Sequence, residues 1–372
     1  MTSPTTATPV PAVPSVSAVS AVSAVSAVSV PDVPDVLGRC RALVRPALAD
    51  AVAQLHPWTG EMAAYAFGWC DVGGAPASGA SEGKGVRQAL AVLGAEAAGA
   101  DGGAAVGGAV AVELVHAFSL LHDDIMDGDG TRRQRETVWK AYGTGPAVLA
   151  GDALFALAVQ TLAGTPGPRT AAAVRRLCAT LAELVQGQAE DLLLEDRPWT
   201  GPGAVRPDEY RSVAERKTGS LLGCAAALGG LLGGAPGETV TALDRAGRHL
   251  GVAFQAVDDL LGVRGDPAVT GKPVHGDLRR RKKTRPVLAA LAGDGPAARE
   301  LAALLDSSFR LDDAAAARAA VLVEEAGGNA ATVEEARSHL DAARACLRGV
   351  PLARSAARDI DSLIAFLLHR AV

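Results

Sequence analysis

The chain has 372 residues and a formal net charge of −5; 49% of its residues are hydrophobic and only 3% are aromatic. This length is sufficient for one large core, and the abundance of alanine and leucine favours helices that pack through small side chains. The mildly acidic balance gives no general case for nucleic acid or an anionic membrane as a partner.

The cysteine content and the hydropathy pattern both indicate a cytoplasmic protein. The five cysteines are scattered and lack CxxC spacing, which is typical of reduced thiols and argues against a disulfide framework or a zinc site. No apolar run reaches transmembrane length without interruption by glycine or a polar residue. We therefore expect no membrane span.

Residues 1–36 form a low-complexity segment that is rich in proline and then in Ser-Ala-Val triplets. A period of three suits neither an amphipathic helix nor a strand. A signal peptide would require a basic residue near its start, and none precedes Arg39. We expect a disordered tail over residues 1–36 and a single domain over residues 37–372.

The domain reads as a series of helices. No two segments have the alternation of paired strands, so the predicted fold is all-α. In chain order, one helix is predicted to begin at about Asp35, a second to span residues 88–98 and a long one to end at Asp127. Another is predicted to begin at Gly151, and Asp208 is the predicted N-cap of the helix that carries Lys217 and Thr218.

Two acidic motifs suggest a metal site. On a helix, Asp123 and Asp127 share one face, with Asp124 at its edge. A solvated helix end would explain an isolated motif of this kind, but the preceding residues are largely apolar, which indicates a core helix. Asp258 and Asp259 repeat the pattern downstream. Two such faces aimed at one cavity would hold Mg2+ together with the phosphates of a substrate.

Basic residues divide into two sets around these motifs. Lys217, Lys272 and Arg132 could stabilise the charge that develops on a departing diphosphate. A second set without carboxylates of its own suits a diphosphate that is held but not cleaved; it comprises Lys84, Arg87, Arg133 and His116. The basic run 279–283 is either a solvated face or a cationic lid over phosphates. A reaction in which one diphosphate substrate ionises and the other keeps its diphosphate is typical of prenyl chain elongation. An apolar interior would shield the resulting carbocation from water.

From about Leu37 onward the chain resembles the trans-isoprenyl diphosphate synthases of the polyprenyl synthetase family, most closely the short-chain geranylgeranyl diphosphate synthases. The motifs that carry this resemblance follow the family's order. They are Lys84-x-x-Arg87, Glu113-x-x-His116, Asp123-Asp124-x-x-Asp127 with Arg132-Arg133, Gly187-Gln188-x-x-Asp191, Lys217-Thr218, Phe254-Gln255-x-x-Asp258-Asp259, Gly271-Lys272 and Lys282-x-Thr284.

The resemblance implies an isoprenoid-synthase-type bundle of antiparallel helices around a deep cavity, usually dimeric, and a role for each site residue. The catalytic residues would be Asp123, Asp124, Asp127, Lys217, Asp258 and Asp259, of which Asp123, Asp127 and Asp258 would bind three Mg2+ ions with the diphosphate. The allylic diphosphate would be bound by Arg132, Lys217, Thr218, Gln255, Lys272 and Lys282. Isopentenyl diphosphate would be bound by Lys84, Arg87, His116 and Arg133.

The sequence departs from the family pattern at several positions. Gly262 replaces the usual third aspartate of the second acidic motif, and Gly85 replaces an arginine often found after the lysine. Gln134 and Trp139 replace the usual glycine and histidine after the arginine pair. These changes leave altered kinetics or substrate preference open.

Product length is inferred from the resemblance alone. In this family a bulky residue just upstream of the first acidic motif closes the bottom of the product tunnel. Phe118 lies five residues before Asp123, and Ser119 lies four residues before it. This pattern resembles synthases that stop at geranylgeranyl diphosphate, with farnesyl diphosphate as the alternative product.

Two other functions are considered. A class I terpene cyclase shares the first acidic motif but would carry an Asn/Asp-x-x-Ser/Thr-x-x-x-Glu metal motif, and Ala336 stands at the final position counted from Asn329, the only asparagine. A non-catalytic subunit of a synthase would be consistent with Gly85 and Gly262, but not with two intact acidic pairs.

Overall fold

Helices make up 77% of the residues that the structure describes. The computed structural model describes residues 32–77, 83–264, 275–306 and 311–369. The first ten helices are α1 (Asp32–Val52), α2 (Pro57–Ala66), α3 (Val86–Ala97), α4 (Val106–Met126), α5 (Val138–Tyr142), α6 (Thr144–Ala163), α7 (Thr170–Glu195), α8 (Pro207–Ala214), α9 (Ser220–Leu232) and α10 (Gly237–Arg264). The remaining six are α11 (Gly276–Arg279), α12 (Arg285–Leu291), α13 (Pro296–Asp306), α14 (Asp313–Glu325), α15 (Gly328–Arg348) and α16 (Arg354–His369). A 3-10 turn, Gly102–Ala105, leads into α4.

The central helices pack through small residues, as the composition predicts. A side chain on Gly94 of α3 would lie 2.4 Å from the carbonyl oxygen of Ala226 on α9, and one on Gly229 would lie 2.0 Å from that of Ala91. The two backbones are therefore in direct contact. Around them, Leu114 of α4 is fully buried and belongs to the main core.

The first helix begins earlier than the predicted domain boundary. Helix α1 starts at Asp32, and Val33 and Val36 are buried in the main core. Residues 32–36 therefore belong to the domain instead of the predicted tail, because two apolar side chains find core partners that a local pattern does not reveal. Residues 1–31 lie outside the described part.

A short hairpin is the exception to the all-α prediction. Strand β1 (Thr131–Arg132) pairs antiparallel with β2 (Arg135–Glu136). Arg133 and Gln134 connect them with φ angles of 51° and 64°, the left-handed backbone of a tight two-residue turn. Strands of two residues leave no alternation to detect, so the expected absence of strand pairs was wrong here.

Two predicted helix starts are also corrected. Helix α6 begins at Thr144, so Gly151 lies in its middle. Helix α8 begins at Pro207 after Arg206 as N-cap, which places Asp208 inside the first turn. Proline suits the first helical position because its missing N–H would have no partner there.

Lys217 and Thr218 lie in a π-helical turn, Glu215–Gly219, that joins α8 to α9. Such a turn contains one more residue than an α-helical turn and changes the direction of the side chains that follow. It places Lys217 towards α7 and Thr218 towards α10.

Two helical stretches, Gly102–Met126 and Thr144–Ala163, have the length and hydropathy of a membrane span. More than half of the first is buried inside the protein, as in many core helices of water-soluble proteins. Length and composition alone are weak grounds for a span.

Candidate active site

The first acidic motif ends α4, where the buried apolar residues of the helix hold it against the core. The side chains of Asp123 and Asp127 are only 18% and 13% exposed. Burial raises the pKa of Asp123, although nearby Lys217 opposes this effect. The motif is therefore partly buried and differs from a solvated helix end.

Within this motif, Asp124 is bound by an arginine. The Nε and Nη2 atoms of Arg132 donate to its Oδ1 at 2.9 and 2.7 Å, and Asp124 is buried. The β1–β2 hairpin carries Arg132 to this position. Asp124 and Arg132 thus bind each other in this state, and their predicted contacts with metal and diphosphate stay predictions.

Two lysines connect the acidic clusters. The Nζ atom of Lys217 lies 2.8 Å from Asp191 Oδ2 and 3.9 Å from Asp123 Oδ2. The Nζ atom of Lys282 lies 2.7 Å from Asp127 Oδ2. Lys217 therefore pairs chiefly with Asp191 on α7.

Both lysines also line a cavity of about 110 Å³ with the second acidic motif. Its polar lining residues are Asp191, Glu195, Tyr210, Lys217, Gln255, Asp258, Asp259, Asp277, Lys282, Lys283 and Thr284. Because each lysine reaches the first motif as well, the two acidic motifs face one site, as predicted.

The two carboxylates of the second motif differ in environment. Asp258 is partly exposed and makes no hydrogen bond or ion pair with another described residue. Asp259 is 3% exposed and accepts hydrogen bonds from the Tyr210 hydroxyl (2.6 Å), the Arg285 backbone N–H (2.9 Å) and Gln255 Nε2 (2.9 Å). Burial raises the pKa of Asp259 to about 7 despite these donors. The structure therefore gives Asp259 an anchoring position, and its predicted catalytic role stays a prediction.

The residues expected around the allylic diphosphate are only partly free. The Thr218 hydroxyl donates to Gln255 Oε1 at 2.9 Å, so these two side chains bind each other. Lys272 lies outside the described residues. Arg132 and Lys282 of this group bind the first acidic motif directly, at Asp124 and Asp127. Lys217 lies near Asp123.

Asp277 occupies the space left by Gly262. A Cβ atom on Gly262 would lie 1.8 Å from Asp277 Oδ2. A carboxylate from α11 therefore stands next to the backbone position where relatives have the third aspartate. Fifteen residues separate the two positions, and no local pattern connects them.

Of the two interpretations left open for the run 279–283, neither a solvated face nor a lid over phosphates describes the partners of four of its five residues. Only Lys282 binds a carboxylate of the first motif. The others are directed to separate partners: Arg279 to Asp313, Arg280 to Asp129, Arg281 to the Leu305 carbonyl, and Lys283 to the Glu195 carbonyl and the Trp199 ring. The run braces the surrounding helices.

The second basic set is brought together as predicted. Arg87 Nη1 lies 3.1 Å from His116 Nε2, and a Cβ on Gly83 would lie 2.7 Å from Arg133 Nη2, so Arg133 covers the loop that holds Lys84. The buried Nε of Arg87 has no hydrogen-bond partner in the described part of the chain. An unpaired guanidinium N–H is available to an anion.

His116 is neutral in this set. Burial and the nearby arginines Arg87, Arg133 and Arg132 lower its pKa well below the usual value. Because Arg87 can only donate, Nε2 of His116 accepts and its proton resides on Nδ1. His116 therefore offers one N–H donor to a ligand.

Two departures from the family pattern have structural reasons. Gly85 has a φ of +70°, and a Cβ there would lie 2.5 Å from Gln88 Nε2, so glycine suits this turn before α3. Trp139 donates from Nε1 to the Asp129 carbonyl at 2.7 Å, which supports the segment that follows the first acidic motif.

Phe118, the predicted chain-length residue, lies between α4 and α6. Its ring centroid is 5.0 Å from that of His122 and 5.5 Å from that of Phe155, with edge-on geometry in both cases. The neighbouring Ser119 hydroxyl donates to the His116 carbonyl at 2.9 Å. Phe118 therefore faces α6.

The donor set suits Mg2+. Carboxylate oxygens are the protein ligands that this ion prefers, usually together with water and substrate phosphates. Among the described residues, no three carboxylate, cysteine or histidine groups lie close enough to hold a metal ion alone. Asp123, Asp127 and Asp258 could therefore hold ions whose shells are completed by a diphosphate.

Comparisons with known proteins agree with this geometry. The family model for polyprenyl synthetases matches residues 77–321. A geranylgeranyl diphosphate synthase of Mycobacterium tuberculosis is 46% identical over 313 residues (84% of this chain, 88% of the relative), and a (2E,6E)-farnesyl diphosphate synthase of that organism is 42% identical over 339 residues (90% and 92%). The crystal structure of a polyprenyl synthetase from Streptomyces coelicolor A3(2) has a TM-score of 0.84 at 46% identity, covering 90% of this chain and 99% of that one.

The ion pair of Lys282 with Asp127 predicts that removing the lysine changes metal affinity and pyrophosphate affinity in opposite directions. Lys282→Ala should tighten Mn2+ binding to the ligand-free protein, because a competing charge is removed. It should weaken pyrophosphate binding in the presence of Mg2+, because a donor to the phosphate is lost. Each affinity should change about tenfold, since such a pair is worth on the order of 1–4 kcal/mol.

Electron paramagnetic resonance of free Mn2+ and calorimetry with pyrophosphate measure these two affinities. Lys140→Ala, which removes an exposed lysine of α5, is the control and should change neither. A loss of both affinities in Lys282→Ala would contradict the competition.

Proposed function

Because this chain belongs to the polyprenyl synthetase family and is a prenyltransferase, we propose that it condenses isopentenyl diphosphate with an allylic diphosphate to form geranylgeranyl diphosphate. The observation that supports this most directly is the bridging of two acidic motifs by Lys217 and Lys282 around one cavity. Such a site can bind a diphosphate that leaves, beside a separate basic set for one that stays.

The allylic diphosphate would bind between Asp123 and Asp127 on one side and Asp258 on the other. Mg2+ held by these carboxylates would supply the charge that stabilises the departing diphosphate. Lys217 and Lys282, freed from their carboxylate partners, would donate to its oxygens. The apolar residues of α4 would keep water away from the cationic hydrocarbon.

Isopentenyl diphosphate would bind to the second basic set. Arg87 offers its unpaired Nε–H, His116 its Nδ1–H, and Arg133 and Lys84 their positive charges. Held there, the isopentenyl double bond would attack the allylic cation, and a proton would pass to the released pyrophosphate. No side chain needs to act as a nucleophile.

Two features bear on the product. The relatives include both geranylgeranyl and farnesyl diphosphate synthases, so their names do not choose between these products. The aromatic pair of Phe118 and Phe155 would limit the growing chain to a short product, and Phe118 five residues before Asp123 resembles the synthases that stop at geranylgeranyl diphosphate. Farnesyl diphosphate is the alternative.

We further propose a homodimer in the cytoplasm. Helix α6 exposes three apolar side chains, Val148 (37% exposed), Leu149 (55%) and Phe155 (38%). A second copy of the chain would cover this face and remove these side chains from water. All five cysteines are free thiols, as in a reducing compartment, and cell fractionation would test the location.

The reaction itself is tested by incubating the purified protein with Mg2+, labelled isopentenyl diphosphate and each allylic diphosphate. Elongated products are expected, and Asp123→Ala and Asp258→Ala should each lower turnover by about 10³-fold, because charge stabilisation of the leaving group is lost. Asp341→Ala, at an exposed position on α15, is the control. A product made from a single substrate would indicate a cyclase, and no product without a second protein would indicate a regulatory subunit.

The product length is tested by Phe118→Ala. Removing the ring should allow at least one further condensation, so chromatography of the products should show chains longer than those of the wild type. Phe67→Ala removes a ring that stacks on Trp69 in the main core and should leave the product unchanged. The same product from Phe118→Ala as from the wild type would refute its role.

The dimer is tested by light scattering, which should give twice the chain mass of 37.6 kDa. Leu149→Arg and Phe155→Arg should shift the protein towards the monomer, because a charge cannot be buried in an apolar interface without a partner. Val321→Arg on α14, where Val321 is 47% exposed, should not. A wild-type protein with the mass of one chain would exclude the dimer.

A further inference from the structure

We propose that Tyr210 is a positioning residue that acts through Asp259 to hold Asp258 and Lys217 towards the diphosphate cavity. This inference rests on the proposed function for the identity of the ligand, and it adds a residue that no sequence motif marks. Its starting point is the difference between the two neighbouring carboxylates of α10.

Three donors from three helical elements converge on Asp259. The Tyr210 hydroxyl comes from α8, the Gln255 amide from α10, and the Arg285 backbone N–H from the start of α12. Tyr210 is buried, and burial together with Asp259 raises its pKa well above the usual value, so the phenol keeps its proton and donates. The carboxylate is thus fixed by three hydrogen bonds from the protein.

The anchoring of Asp259 determines where Asp258 points. Successive residues on an α-helix are about 100° apart around the axis. With Asp259 directed towards α8 and α12, Asp258 is turned away from them and makes no hydrogen bond or ion pair with another described residue. A rotation or fraying of the end of α10 would move both carboxylates together.

The same chain of hydrogen bonds reaches Lys217. Gln255 donates to Asp259 and accepts from the Thr218 hydroxyl, which follows Lys217 in the π-helical turn. Because the only hydroxyl proton of Thr218 is directed to Gln255, the turn is tied to α10. Lys217 is then held on Asp191 at 2.8 Å.

An outer ion pair supports this chain. Glu335 on α15 accepts from Arg211 Nε at 2.6 Å and from Arg285 Nε. Arg211 follows Tyr210, and Arg285 is the residue whose backbone N–H binds Asp259. A single carboxylate outside the site therefore holds two of the three donors in register.

The experiment compares two tyrosine variants. Tyr210→Phe removes the hydroxyl that binds Asp259, whereas Tyr142→Phe removes a hydroxyl that donates to Glu61 at 2.9 Å, away from the site. Each variant loses one hydrogen bond between a tyrosine and a carboxylate, and the loss of stability should be larger for Tyr210→Phe because Tyr210 and Asp259 are buried. Thermal unfolding measures this effect separately from ligand binding and turnover.

Tyr210→Phe should bind pyrophosphate several-fold more weakly than the wild type in calorimetry with Mg2+ present. Its kcat should fall about tenfold with an unchanged KM for isopentenyl diphosphate, because misplacement of a catalytic group by a fraction of an ångström is costly. Glu335→Gln should shift both measurements in the same direction by a smaller factor. Tyr142→Phe should shift neither.

The inference would be overturned if Tyr210→Phe and Tyr142→Phe had equal pyrophosphate affinity and kcat. If Tyr210→Phe does not fold, unchanged pyrophosphate affinity and kcat in Glu335→Gln would overturn it. These outcomes leave the proposed function intact as long as the wild type elongates an allylic diphosphate. If Tyr210→Phe binds pyrophosphate more weakly but the wild type makes no prenyl product, the positioning role is supported and the proposed function is refuted.

Discussion

The pairing of buried carboxylates with lysines is the interaction on which the rest of the site depends. Aspartates at the ends of α4, α7 and α10 are brought close together, and buried like charges are costly unless cations offset them. Lys217 and Lys282 provide this compensation in the free protein. A diphosphate with its metal ions would exchange partners with the lysines: the ions take the carboxylates and the lysines take the phosphate oxygens. The charges that stabilise the site in this structure would thus also be the charges that bind the proposed ligand.

Each acidic motif divides its work between adjacent residues. In the first, Asp124 is bound by Arg132, while Asp123 lies near Lys217. In the second, Asp259 is bound by Tyr210, while Asp258 makes no hydrogen bond or ion pair with another described residue. The angle of about 100° between neighbouring helical residues makes this division possible, because one carboxylate can face the supporting elements while the next faces the cavity. The doubled aspartates therefore combine an anchor with a candidate ligand.

Close helix packing provides the frame for these charges. Direct backbone contact of α3 with α9 at Gly94 and Gly229 leaves little freedom for the central helices to slide. The basic run 279–283 adds a second kind of support, since its members bind four separate parts of the chain and only Lys282 reaches the first acidic motif. A site that must align two diphosphates gains from rigid surroundings, because small displacements of charged groups strongly affect the rate.

The sequence alone determined the features that arise from local periodicity. The apolar spacing of α4, the shared face of Asp123 and Asp127, and the ordered series of motifs were sufficient to predict the helical fold, the family and the grouping of Arg87 with His116. Local spacing specifies which face of a helix a residue occupies, but not which distant element covers that face. The three donors on Asp259, the carboxylate of Asp277 beside Gly262 and the separate partners of the run 279–283 were therefore decided only by the tertiary structure, which joins segments far apart in the chain.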